Sequence, residues 1–283
     1  MPTYSYRIVN VFADSPLSGN PLAVFEDARD MSDATMQALA LQFNLSETTF
    51  ILPATDPAAT AHVRIFATTT EMLFAGHPML GTAHVVRSLM GNGAEVSLQT
   101  RTTITCLKAT GDRWTFEAPY PPKQHPPTAS RADLAEMLGL DEGDFAGAAP
   151  LWIDTCVDQL VIPLASFKAV NSAKPEAEAL HTYGHNGQAA MVYIFARDGD
   201  HVLARFFFSE RRGSFIEDPG TGSACANLGG WLLATDAPLP QRIAIDQGEV
   251  VGRPCRLGLA VSEDRGISVS GRVIELGRGT ITF

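Results

Sequence analysis

Charge is scarce in this sequence. Asp, Glu, Lys and Arg make up 18% of its 283 residues, against about 25% in an ordinary globular domain. What charge there is leans negative, with 21 basic against 31 acidic residues and a formal −10. A net negative chain without a basic patch or interleaved aromatics lacks the positive surface that phosphate backbones and anionic membranes attract, which disfavours both as partners. Cysteine is sparse and scattered: Cys106, Cys156, Cys225 and Cys255 form no CxxC pair. The pattern reads as reduced, buried thiols of a cytosolic protein rather than a disulfide framework or a zinc site. No apolar run approaches the roughly 20 residues of a membrane span. The opening MPTYSYRIVNVFADS lacks the basic and apolar regions of a signal peptide. A soluble, cytoplasmic protein is the expectation.

Several site signatures are missing too. There is no Walker lysine and no G-x-S-x-G. The glycines of PGTGSACANLGG are wrongly spaced for a dinucleotide fingerprint, and no acidic residue follows a clear second parallel strand. His77 with His84, and His181 with His185, each lack a third ligand, so no metal is expected. Cys225 lies among apolar residues and reads as packing.

What is present is a core-forming chain, 45% hydrophobic, long enough for one or two domains. Pro119, Pro121, Pro122, Pro126 and Pro127 crowd PYPPKQHPP, where neither helix nor central strand can persist. Residues 119–127 are therefore read as a linker between domains at 1–118 and 128–272, with the terminal VIELGRGTITF (273–283) returning to the first. Strands are expected at Tyr6–Val11, Pro21–Phe25, Thr48–Leu52, His62–Phe66, Gln159–Pro163, Ala190–Phe195 and Val202–Phe208. Ser32 caps a helix whose Met36, Leu39, Ala40 and Phe43 share a face and which Asn44 ends; Ser130 and Gly139 bound another.

The two halves resemble each other. RIFATTTEMLFAGHPMLGTAH from Arg64 aligns without a gap on RFFFSERRGSFIEDPGTGSAC from Arg205, at a constant offset of 141. That offset pairs His77 with Asp218, Pro78 with Pro219, Gly81 with Gly222 and Thr82 with Ser223, and places Gln188 opposite Glu47. Further out, Asn20-Pro21-Leu22 resembles Asp158-Gln159-Leu160 at 138, and VSLQ from Val96 resembles IAID from Ile243 at 147. In each copy a loop and a proline lead into an apolar helix with almost no polar face, read as buried inside its sheet. Buried helix starts flanked by glycine leave N–H groups and a dipole that favour an anion. Two of them facing each other across a domain cleft would hold a small carboxylate, with His77 and Asp218 as an acid/base or orienting pair.

GNPLAVF at Gly19, NLSETTF at Asn44, FAGHPMLGTAH at Phe74 and EDPGTGSACANLGGW at Glu217 resemble the phenazine-biosynthesis PhzF-like isomerase family, almost end to end through DQGEVVGRP at Asp246. The resemblance implies the α+β diaminopimelate-epimerase-like fold: two pseudo-symmetric domains, each a curved, mostly antiparallel sheet or barrel around a central helix, in a homodimer. It implies that Glu47 is the catalytic acid/base, which composition does not show; between a helix end and the apolar strand TTFIL, partial burial would raise its pKa. It further implies that His77, Asp218 and Ser223 hold the substrate, with the backbone at Gly76, Gly220 and Thr221 near its carboxylate. The expected activity is a cofactor-free isomerase that moves a proton between carbons of a small, dihydro-hydroxyanthranilate-like carboxylate in the interdomain cleft. An amino-acid-type epimerase with non-thiol bases, or a non-catalytic ligand-binding member of the fold, are the alternatives.

Overall fold

In the computed structural model, residues 1–91, 93–209 and 211–283 are described. The chain forms two compact units, Met1–Pro119 with Ser270–Phe283, and Tyr120–Val269. The first contains β1 (Thr3–Val11), β2 (Asn20–Phe25), α1 (Asp33–Phe43), β3 (Thr48–Leu52), β4 (Ala61–Phe66), β5 (Glu71–Met72), α2 (Gly76–Met90), β6 (Glu95–Gln99), β7 (Ile104–Thr110) and β8 (Arg113–Glu117). The second runs from β9 (Lys123–His125), α3 (Arg131–Leu138), β10 (Leu151–Asp154), β11 (Asp158–Pro163), α4 (Phe167–Ser172) and α5 (Ala177–Tyr183) to β12 (Ala190–Asp198), β13 (His201–Ser209), β14 (Ile216–Asp218), α6 (Gly222–Ala234), β15 (Gln241–Gln247) and β16 (Cys255–Val261). The last strand, β17 (Ile267–Thr282), starts in the second unit and continues into the first.

In the first unit the strands close into a ring. β1 is antiparallel to β2, β2 parallel to β3, β3 antiparallel to β4, and β4 parallel to β6. β6, β7 and β8 follow as antiparallel neighbours, and β17 joins β8 back to β1. Strand alternation supplies the inward face: Val96 and Leu98 of β6, Leu107 of β7, and Trp114 and Phe116 of β8 are all buried. Inside lies α2, in contact with β1, β2, β3, β4, β6 and β8. Its glycine-punctuated sequence makes this possible, because a Cβ on Gly81 would sit 2.6 Å from Leu22 and 3.0 Å from Val11. Outside, α1 covers Phe25, Phe50 and Phe66 with Met36, Leu39 and Ala40. That explains why β2 and β3 are buried on both faces. Arg7 of β1, almost fully buried, ties the returning terminus in place by pairing with Glu26 at 2.6 Å and Glu275 at 2.9 Å.

The second unit repeats the plan. β9, β10, β11, β12, β13, β15 and β16 pair in that order, and α6 touches β9, β10, β11 and β16. Because both ends of the row meet the same helix, the sheet curves around it. Leu134, Met137, Val170 and Leu180, carried on α3, α4 and α5, cover its outer face. The expected caps are present: Ser32 accepts from Thr35 N at 3.1 Å, Ser130 and Asp133 form a capping box, and Asn44 and Gly139 are left-handed.

Sequence readings of the fold need correction at several points. α4 and α5 were not anticipated; at 6 and 7 residues they are too short to show a helical period. The proline-rich segment is not all connection, because Lys123–His125, the three residues between its prolines, pair with Trp152–Asp154 as β9. Another concerns the gapless offset of 141.

Arg64 and Arg205 are equivalent: each forks onto a glutamate through Nε and Nη2 and lies over a phenylalanine two residues on, Phe66 at 5.0 Å and Phe207 at 4.9 Å. Their glutamates, Glu71 and Glu217, sit opposite those same phenylalanines across the hairpin. Arg64 and Glu71 are 7 residues apart, but Arg205 and Glu217 are 12 apart. The second hairpin is therefore five residues longer, and beyond it the offset becomes 146, which brings the helix starts Gly76 and Gly222 together. The structural mate of His77 is thus Ser223, and that of Asp218 is Met72. Pro78 lies within α2, whereas Pro219 precedes the N-cap Thr221, outside the helix. Through β3 and β12, where Thr48 faces Phe66 and Val192 faces Phe207, Glu47 corresponds to Met191 rather than Gln188. The offset of 147 between β6 and β15 stands, because Ala61 with Leu98 matches Val202 with Ile245.

Candidate active site

Glu47 occupies the short connection between α1 and β3 and is mostly buried, its side chain 15% exposed. Left-handed Asn44 ends α1 and turns the chain so that the next residues enter the sheet beside β4. His77, the second residue of α2, is 4% exposed. Its Nε2 faces Glu47 Oε2 at 3.4 Å without hydrogen-bond geometry, and its Nδ1 lies 3.4 Å from the Asn20 side-chain amide. Asn20 reaches there because Gly19, at φ +83°, turns the chain where a Cβ would strike the Val11 carbonyl at 2.6 Å.

Burial drives the His77 pKa down to about 3, against a weaker opposing hydrogen bond to the Pro21 carbonyl, so the ring is neutral at ordinary pH. A proline carbonyl can only accept, so the imidazole donates to it. With that proton on Nδ1, Nε2 presents a lone pair to the Glu47 carboxyl. The pair suits a glutamate that alternates between proton-bearing acid and ionised base beside a neutral acceptor.

In the second unit Asp218 ends β14, opposite Phe206. Its Oδ2 accepts a hydrogen bond from Thr221 Oγ1. Gln247, fully buried at the end of β15, organises this loop: Nε2 donates to the Asp218 carbonyl at 2.8 Å and to Thr221 Oγ1 at 3.0 Å, and Oε1 accepts from Thr221 N at 3.4 Å. Ser223 is the second residue of α6, and its Oγ accepts from Gln159 Nε2 at 3.0 Å. Gly220 is buried within the same loop. In the second unit, then, Gln159 near the start of β11 holds the second residue of the central helix, whereas in the first the Asn20 amide at the start of β2 lies beside it.

Both helix starts have their first residue buried. Neither N-cap, Ala75 nor Thr221, makes a side-chain capping bond, and neither first turn carries an acid. Such ends concentrate N–H donors and positive dipole where an anion would compensate them. The structure groups Glu47, Gly76 and His77 in one unit, and Asp218, Gly220, Thr221 and Ser223 in the other. Among the described residues no cluster of three or more His, Cys, Asp or Glu is arranged for a metal, and no helix is long and apolar enough to cross a membrane. Cys225 is fully buried and burial pushes its thiol pKa up, in keeping with a packing role; Cys106, expected buried, is exposed.

Sequence reasoning missed Asn20, Gln159 and Gln247. The resemblance of Asn20-Pro21-Leu22 to Asp158-Gln159-Leu160 at 138 gave no lead, being one residue out of register. Ala23 faces Thr48 as Leu160 faces Val192, so the strand offset is 137 and Asn20 and Gln159 are not equivalent positions.

The family model described as phenazine biosynthesis-like protein matches residues 9–279. An uncharacterized isomerase of Pasteurella multocida is 36% identical over 98% of this chain and 94% of its own length. The trans-2,3-dihydro-3-hydroxyanthranilate isomerase of Pseudomonas aeruginosa is 35% identical over 94% of this chain and 93% of its own. The crystal structure of a PhzF-family phenazine biosynthesis protein from Bacillus anthracis superposes with a TM-score of 0.88 at 21% identity, covering 100% of both chains.

Proposed function

This chain belongs to the phenazine biosynthesis-like (PhzF) family and is an isomerase, and from that premise we propose that Glu47 moves a proton between carbons of a small carboxylate substrate without a cofactor. Supporting this is the contact of Glu47 Oε2 with Nε2 of a neutral His77 at 3.4 Å. The ionised glutamate takes a proton from a carbon made acidic by a neighbouring unsaturated system. As the acid, it delivers that proton to a second carbon of the same delocalised anion. His77 stays neutral throughout, accepting from the protonated carboxyl or from the substrate without stabilising a charge of its own. Asp218, kept in place by Thr221 and Gln247, takes a donor group of the substrate. In the second unit Ser223 and the backbone at Gly220 and Thr221 take a carboxylate oxygen, and in the first the backbone at Gly76 offers donors of the same kind, since each helix start favours an anion.

Relatives named for trans-2,3-dihydro-3-hydroxyanthranilate make that compound the first to test. A racemase working through symmetric bases receives no support, because the equivalent helix positions carry an imidazole and a hydroxyl, His77 and Ser223. In heavy water, wild type is expected to incorporate deuterium into this or a related unsaturated amino carboxylate, and Glu47→Gln is not. Equal labelling by both proteins would reject Glu47 as the shuttle.

A further inference from the structure

Asn227 of α6 is fully buried and makes four hydrogen bonds. Its Oδ1 accepts from Thr155 N at 3.0 Å and from Thr155 Oγ1 at 2.7 Å. Its Nδ2 donates to the Val157 carbonyl at 2.9 Å and to Gln159 Oε1 at 2.8 Å. A backbone N–H can only donate and a backbone carbonyl can only accept, so Thr155 and Val157 leave this amide one orientation. Gln159, 2% exposed, must then turn Oε1 towards Asn227 and present Nε2 to Ser223 Oγ at 3.0 Å. Ser223 receives that proton on its oxygen, and its single O–H is left to donate elsewhere.

We propose that Asn227 and Gln159 are positioning residues: with the Thr155 N–H they form a relay of fixed hydrogen-bond direction that makes Ser223 a donor, matched to the carboxylate of the substrate. The relay rests on the reading of Ser223 as a substrate contact and adds what selects its ligand. A carboxylate oxygen accepts without competing for the hydroxyl proton, whereas an amide or ammonium donor at that place meets an O–H already pointing at it. The device is specific to the second unit, because the position equivalent to Asn227 in α2 is Gly81, which has no side chain to orient His77.

The test reverses the relay with an isosteric change. At pH 8 a Gln159→Glu carboxylate accepts from Asn227 Nδ2 and from the Ser223 hydroxyl, turning Ser223 to face the ligand with a lone pair. Calorimetric binding of trans-2,3-dihydro-3-hydroxyanthranilate, with Glu47→Gln in every protein to prevent turnover, is expected to weaken about 10- to 100-fold. The same Gln159→Glu change in a Ser223→Ala background is expected to cost less than about 3-fold, because no hydroxyl remains to reorient. Equal losses in both backgrounds would mean charge repulsion alone and would overturn the relay. A second measurement needs neither ligand nor Gln159→Glu. In ¹⁵N-labelled protein, Ser223→Ala should shift the Gln159 side-chain amide resonance and leave that of Asn227 in place. An unmoved Gln159 amide overturns the relay whatever binds. If wild type binds no carboxylate while this amide shift is seen, it is the substrate reading that fails.

Discussion

Replacing Arg205 by Met tests whether the fork beneath Asp218 holds the loop that carries it. Arg205 and Glu217 are paired at 2.7 Å with side chains each 8% exposed, so neither charge is solvated. The guanidinium also donates to the carbonyls of Val170 and Ala173 at 3.1 and 2.8 Å, closing the end of α4. Methionine fills much of the volume but leaves Glu217 buried without its partner, a loss of roughly 3–5 kcal/mol. The two carbonyls lose donors at about 1 kcal/mol each, partly recovered by water. Together these losses come to roughly 4–6 kcal/mol, and for a unit of this size each kcal/mol lowers the melting temperature by about 2–4 °C, so a drop of roughly 8–24 °C is expected. The assay is calorimetric unfolding of wild type, Arg205→Met, and Arg205→Met with Glu217→Leu. The double variant should recover more than half of the loss, because an apolar pair tolerates the site that a lone carboxylate does not. A single variant within about 1 kcal/mol of wild type, or a double variant no better than the single, would refute the reasoning.

Other substitutions probe the site and its frame. His77 is depressed from 6.5 to about 3 by burial, so below pH 6.5 the unfolded chain binds a proton that the folded chain refuses. Its contribution is complete above pH 6.5 and is lost as pH falls towards 3, at up to about 1.4 kcal/mol per pH unit. Urea unfolding of His77→Asn should therefore show a shallower acid slope than wild type, and equal slopes would contradict the burial argument. At Gly248, φ is +84° and an added Cβ would lie 2.4 Å from the carbonyl oxygens of Pro219 and Arg253. Gly248→Ala should destabilise by about 1–3 kcal/mol and weaken ligand binding, since Pro219 adjoins Asp218; a neutral result in denaturant titration would count against it. Among the thiols, Cys106 is exposed, Cys225 and Cys255 are buried, and burial pushes Cys156 up to about 12. At pH 8 a disulfide reagent should modify one thiol per chain quickly and the others only on unfolding, as thiol counting by absorbance would show.

Local structure was legible in this sequence where the determinants are local. Ser32 with Asn44, and Ser130 with Gly139, mark helix ends through bonds spanning a few residues, and those helices lie where the residues place them. The curved sheet around a central helix came from the family resemblance, and the return of the last segment to the first unit was expected. The pairing of β8 with β17 that closes the ring, however, spans more than a hundred residues, and no short pattern encodes it. The repeat was recognised but set in the wrong register past the hairpin. Arg64 and Phe66 match Arg205 and Phe207 so well, and Pro78 falls so neatly on Pro219, that a gapless alignment conceals five extra residues. Only the cross-strand placement of Glu71 and Glu217 reveals them. Glu47 came from family resemblance alone, since a glutamate after a helix is ordinarily solvated. Its contact with His77 exists only once β3 and α2 are packed together. Asn20, Gln159 and Asn227 escaped notice because uncharged amides carry no signal until their partners are known.

The most direct measurement of the central claim follows a label through a single turnover. Trans-2,3-dihydro-3-hydroxyanthranilate, deuterated at the carbon that loses its proton, is mixed with excess enzyme, and the product is read by NMR. A single carboxyl that carries the proton should deliver part of the deuterium to the new carbon in wild type. Glu47→Gln should turn over at least about 100-fold more slowly, the low end of what a general acid/base contributes. Turnover by Glu47→Gln within about 10-fold of wild type, with the label still transferred, would show that another group moves the proton and would contradict the account.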